Sequence, residues 1–193
     1  MNKSKKAKNK HSCIGIIILS ILIITAVWFV AKELVDRQNK FMYPKKYSEY
    51  VEVYSDKYDV DCNIIYSVIL NESGFDPQAV SSAGAIGLMQ ITPDTYEWLL
   101  YIRGEEKTHT LDDIETNIDF GTYFLAYLYK KFGNWNTVFA AYNAGMNRVS
   151  KWLEDPLYSD GNTLNHIPFD ETRDYVKKVS NSVIKYKQIY GEE

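Results

Sequence analysis

The stretch from Glu72 to Gln90 reads ESGFDPQAVSSAGAIGLMQ. Just upstream, Ile64, Ile65, Val68 and Ile69 recur at helical spacing, and Asp61 stands where an N-cap belongs. Glu72 lies three residues after Ile69 and four after Val68, so it falls on or beside the apolar face. Burial there disfavours the ionised carboxylate, and the negative end of the helix dipole acts in the same direction. A carboxyl kept protonated near neutral pH is what general acid catalysis requires. Spacing alone leaves a second reading open, a solvated residue at a fraying helix end. After Glu72 come an Asp76-Pro77 turn, a small-residue run with Gly84 and Gly87, and the amide of Gln90.

Downstream the pattern stays helical. Thr92 caps a helix that has Pro93 in its first turn and Gly104 as its stop. A polar loop leads to Thr116 or Asn117, where a long helix begins and carries Ile118, Gly121, Leu125, Leu128 and Phe132 to a stop at Gly133. A glycine inside a helix costs about 1 kcal/mol, so Gly121 points to close packing against that helix. A short helix from Asn136 to Gly145, another bearing Val149, Trp152 and Leu153, and a last one from about Glu171 to Tyr190 follow. With Tyr47–Tyr58 ahead of them, the outer domain reads as mainly α with seven helices, and no segment alternates as a strand does.

The N-terminus differs in kind. Cys13 to Ala31 is nineteen residues without a charge, long enough as a helix to cross about 30 Å of hydrocarbon. Five lysines precede it, and Trp28 and Phe29 sit near its far end. This predicts a basic cytoplasmic tail over 1–12, an uncleaved transmembrane anchor over 13–31, a polar linker over 32–46 and an extracytoplasmic domain over 47–193. A cleaved signal peptide fits less well, because no small-x-small site follows the apolar run.

Composition narrows the function. The five N-terminal lysines leave 17 basic against 25 acidic residues in the rest, a net of about −8, which disfavours nucleic-acid binding. His11, His109 and His166 are scattered, and no Cys/His cluster has metal-ligand spacing, so no metal or other cofactor is expected. Cys13 lies in the anchor and is not expected to pair with Cys62.

Five motifs then occur in order: Glu72-Ser73, SSAGAIGLMQ at 81–90, Asn117-Ile118 with Gly121, AYNAG at 141–145, and IPFDETRDYV at 167–176. Together they resemble the soluble lytic transglycosylase domain family, a lysozyme-like fold related to goose-type lysozyme, over about residues 55–186. The resemblance implies that the substrate is peptidoglycan, cut between N-acetylmuramic acid and N-acetylglucosamine. It places Glu72 on the family's single acid, which protonates the glycosidic oxygen and then, ionised, accepts the proton of the muramyl 6-hydroxyl. It implies substrate-binding roles for Ser73, Ser81, Gly87, Met89, Gln90, Tyr142, Asn143 and Glu171. Ser81 falls near the acetamido group, Gly84 and Gly87 let backbone approach the sugar, and Met89 and Gln90 line the cleft. Arg173 is implied to pair with an acidic neighbour and fix the last helix. Two positions depart from the family pattern: Thr92 stands where methionine is usual, and Ile114 where proline is common.

Two rivals remain from the residues themselves. One is a muramidase that hydrolyses the same bond. The other is a catalytically idle glycan-binding module of an envelope machine, whose partners the sequence does not name.

Overall fold

A computed structural model describes the backbone of residues 3–191 and the side chains of residues 18–191. The lysine tail, His11 and the Cys13 side chain therefore lie outside the described side chains. The chain divides into two units, Met1–Pro44 and Lys45–Glu193.

The first unit is one helix, α1 (Lys3–Met42). Within it the described stretch Ile18–Met42 contains a run long and apolar enough to cross a membrane, none of it buried. Residues 32–42, the greater part of the expected linker, are helical and continuous with the apolar stretch. They contain neither glycine nor proline and are rich in Lys, Glu, Leu, Arg and Gln, all good helix formers. The break comes at Tyr43-Pro44, because proline lacks a donor and excludes helical geometry from the residue before it.

The second unit holds α2 (Ser48–Tyr58), α3 (Cys62–Glu72), α4 (Pro93–Arg103), α5 (Ile114–Phe132), α6 (Trp135–Ala144), α7 (Met146–Glu154) and α8 (Asp170–Tyr190). These are the seven helices the periodicity predicts. The caps explain most boundaries. Asp61 accepts from the Asn63 N–H to start α3, and Thr92 accepts from the Thr95 N–H to start α4 with Pro93 behind it. The α5 helix begins ahead of the expected Thr116, because Asp113 takes the cap and accepts from both the N–H and the hydroxyl of Thr116. Gly104 and Gly133 close α4 and α5 in the left-handed region.

Helix α3 runs through the centre. Ile65, Val68 and Ile69 are fully buried, and each such side chain contributes about 1.5–3 kcal/mol of burial. It packs on α8, which offers the buried Val176, Val179 and Tyr186. Helix α5 packs on α2 and α6. At Gly121 a Cβ would stand 2.3 Å from the Met89 sulfur, so this glycine is what lets α5 close on the loop after α3. That loop, with no strand among the described residues, is cinched by isolated bridges from Ile86 to Val80 and to Ile91. Glu72 is the last residue of the buried helix, at the edge where this loop departs.

Candidate active site

Glu72 is half-buried at the C-terminus of α3, and its Oε1 accepts a hydrogen bond from the Tyr175 hydroxyl at 2.6 Å. Burial pushes the carboxyl up to about 7, and the Tyr175 bond, which favours the ion, opposes the shift. Among the described residues no second carboxylate contributes to the shift. Tyr175 reaches Glu72 from the second turn of α8 and is itself buried. Its own pKa is raised well above the ordinary tyrosine value by burial and by the charge of Glu72, so it stays a donor across the physiological range.

Tyr142 also lies within reach of the Glu72 charge. Burial and the Glu72 charge raise its pKa as well. Its hydroxyl donates to the main-chain carbonyl of Met89 at 2.7 Å, and its ring lies 5.2 Å from that of Phe124. One half-buried acid is thus set among tyrosines, both held protonated. A carboxyl in this state delivers a proton at neutral pH and takes one back at little cost.

The wall beside Glu72 is the loop 73–92, and Asn117 of α5 holds it. The Asn117 Oδ1 accepts from the Met89 N–H at 2.7 Å, while its Nδ2 donates to the Ile86 carbonyl at 2.9 Å and the Leu111 carbonyl at 2.7 Å. Gly87 has φ +78°, and a Cβ there would stand 2.4 Å from the Asn117 Nδ2. Only glycine fits against this amide. Ser73 donates to the carbonyls of Leu88 at 2.8 Å and Ile69 at 3.2 Å, tying the loop to the end of α3. The Gln90 side-chain amide donates to Ala79 at 3.1 Å and Gly87 at 2.9 Å. The Ser81 hydroxyl accepts from the Ala85 N–H at 3.0 Å.

Several expected sugar contacts therefore sit differently. The Met89 side chain does not line a cleft: it is fully buried against Gly121, and only its main chain faces the site through Tyr142. Gly87 makes room for Asn117. The amide hydrogens of Gln90 and the hydroxyl of Ser73 brace the loop from within. Asn143 is exposed, and its Oδ1 accepts from the Thr172 hydroxyl at 2.7 Å, which joins AYNAG to the start of α8. Arg173 pairs with Asp170 and donates to the Ile167 carbonyl at 3.1 Å, so the acidic neighbour is found in the same turn. Glu171 is exposed in the first turn of α8, where the helix dipole favours a negative charge.

Two residues central to this geometry are given no role by the motifs alone. Tyr175 lies inside IPFDETRDYV, three residues after the buried Thr172 and four before Val179, so the inward stripe of α8 marks it. Asn117 sits four residues before Gly121 on the inward face of α5, and a buried amide at such a place is a bracing group.

Comparison with known proteins supplies the family. Residues 49–164 match the model of the transglycosylase SLT domain. The soluble lytic murein transglycosylase of Escherichia coli K12 is 36% identical over 161 residues, which cover 78% of this chain and 24% of that protein. The membrane-bound lytic murein transglycosylase C of Haemophilus ducreyi is 29% identical over 75% of this chain and 46% of its own length. The crystal structure of the 70 kDa soluble lytic transglycosylase of E. coli superposes with a TM-score of 0.71 at 32% identity, covering 80% of this chain and 26% of that one. A 70 kDa soluble lytic transglycosylase in complex with bulgecin A gives a TM-score of 0.71 at 31% identity, covering 80% of this chain and 26% of that one. The chain thus spans about a quarter of the soluble relatives and under half of this membrane-bound one. Motif order, helical architecture and the family match over more than half its length converge: this chain belongs to the transglycosylase SLT domain family.

Proposed function

We propose that the chain is a membrane-anchored lytic transglycosylase that cleaves peptidoglycan between N-acetylmuramic acid and N-acetylglucosamine and leaves 1,6-anhydromuramyl ends. The observation that carries the reading is Glu72, a carboxyl raised to about 7 by burial, with no second carboxylate among the described residues acting on it. Glycosidases that use a carboxylate nucleophile or base need a partner for the acid. Here the substrate's own acetamido group takes the nucleophile's place. Protonated Glu72 gives its proton to the glycosidic oxygen as the bond to the muramyl anomeric carbon breaks. The ionised Glu72 then accepts the proton of the muramyl 6-hydroxyl, whose oxygen closes on that carbon. The proton is returned, no water is consumed, and Glu72 is ready again.

Tyr175 fixes the carboxyl and steadies its charged form between the two transfers. Tyr142 and the Met89 carbonyl form the facing wall. Ser81, Asn143 and Glu171 are the residues we assign to sugar or peptide contacts at its rim, with Gly87, Gln90 and Ser73 shaping the loop behind them. The inactive Glu-to-Gln variant of the Pseudomonas aeruginosa lytic transglycosylase, a structural neighbour with a TM-score of 0.67 at 29% identity, supports a glutamate as the essential group. For location, the lysine cluster before an apolar helix supports a cytoplasmic N-terminus, a single span and a catalytic unit outside the membrane within reach of the wall. The direct test is Glu72→Gln: lysis of purified peptidoglycan is lost while the thermal transition is kept. Lysis at the parent rate would remove Glu72 from the mechanism.

A further inference from the structure

The part of α1 beyond the apolar run is itself two-faced. Leu34, Val35, Gln38, Phe41 and Met42 fall within a sector of about 120° on a helix of 3.6 residues per turn. Every charged residue of the segment, with Asn39, lies outside that sector; Arg37 stands at its border and pairs with Glu33 at 3.1 Å. The apolar sector is bare: Leu34 is 61% exposed, Val35 54%, Phe41 85% and Met42 55%. Inside lipid such residues need no cover. A helix of this length is about 60 Å long, against about 30 Å of hydrocarbon, so residues 32–42 extend beyond the bilayer on the anchor reading above, on which this inference rests.

We propose that this face pairs with a second copy of the same chain in a parallel two-helix coil. Ile24, Val27, Ala31, Leu34, Gln38 and Phe41 follow one another at steps of three and four, the spacing of a heptad seam. The repeat passes from the apolar stretch into the polar one without a change of phase. The backbone is helical without a break from the membrane stretch to Met42, so the segment has no hinge with which to lie down on lipid headgroups. Two anchored copies share one orientation, which brings each seam position opposite itself. In that register Val35 and Met42 flank the seam with Arg37, and the other charges point outward, so no like charges meet across it. Gln38, the one polar seam residue, bonds its counterpart and fixes the register, as a single buried amide does in two-stranded coils.

The test uses the full chain in native membranes, in a Cys13→Ser, Cys62→Ala background, with single cysteines placed along the segment and mild oxidation. Leu34→Cys, Gln38→Cys and Phe41→Cys give a disulfide-linked band of twice the chain mass, about fivefold or more stronger than Glu33→Cys, Asp36→Cys and Lys40→Cys on the far side. Co-expressed tagged and untagged copies both appear in that band. Equal yields at the two sets of positions, no dimer at any, or adducts of another mass overturn the pairing. Carbonate washing of the same membranes separates the two readings: a chain that washes off overturns the anchor and the pairing together, and a chain that is retained without the periodic dimer overturns the pairing alone.

Discussion

Replacing Glu72 with glutamine keeps the shape of the side chain and the oxygen that accepts from Tyr175, and it removes only the ionisation. The stability consequence follows from the raised carboxyl. In the unfolded chain Glu72 titrates near its ordinary value of 4.5, and in the folded protein near about 7. Below 4.5 both states hold the proton, and the carboxyl and its glutamine replacement are equivalent in charge. Between 4.5 and about 7 the unfolded chain ionises first, so folding loses ground as pH rises. Above about 7 both states are ionised and the full burial penalty is present. Each tenfold change in an ionisation equilibrium is worth about 1.36 kcal/mol, which makes the penalty about 3 kcal/mol. Glu72→Gln removes it, so the variant gains on the parent progressively across that window, reaching a rise in Tm of roughly 6–12 °C at pH 8 for a domain of this size. Thermal unfolding of both proteins from pH 4 to pH 8 in one detergent reads this out. Stability curves that stay parallel across the whole range would refute the buried, neutral Glu72.

Other expectations follow from the same geometry. Tyr175→Phe removes the one bond that favours ionised Glu72, so the pH–activity profile for lysis keeps its form while its alkaline limb moves to higher pH by about 1, as expected for a hydrogen bond to a charged group; an unmoved limb would show that the bond is absent in solution. Asn117→Ala strands the Met89 N–H and the Ile86 and Leu111 carbonyls, and chemical denaturation is expected to show a loss of about 3–5 kcal/mol. Gly121→Ala drives a methyl into Met89 and overpacks the site wall, costing about 1–3 kcal/mol and lowering lysis, while Gly84→Ala, which meets nothing within 4 Å, costs only its backbone strain.

The helices are legible in the sequence because each carries its own signal. Asp61, Thr92, Gly104 and Gly133 mark ends by local chemistry, and the apolar spacing of α3 and α8 needs no distant information. The linker is not legible in the same way, because polarity mimics irregularity: residues 32–42 are polar yet excellent helix formers, and only Pro44 stops them. In the site, spacing places Glu72 on a face but does not decide between buried acid and frayed end. The deciding partner, Tyr175, lies 103 residues away in sequence. Met89 and Gln90 show the opposite failure. Their residue types suit a sugar cleft, yet the tertiary approach of Gly121 takes Met89 into the core and the loop's own carbonyls take up the Gln90 amide hydrogens. Spacing reports faces; it does not report which neighbour arrives there first.

On the proposed mechanism one carboxyl performs both proton transfers, and the muramyl 6-hydroxyl, not water, captures the anomeric carbon. Mass spectrometry of glycan fragments released from purified peptidoglycan by the full chain tests it most directly. Termini lighter by one water than reducing muramic acid, the 1,6-anhydro form, are the predicted product, and they disappear with Glu72→Gln. Reducing muramic acid at every new terminus would contradict this mechanism and make the chain a hydrolase.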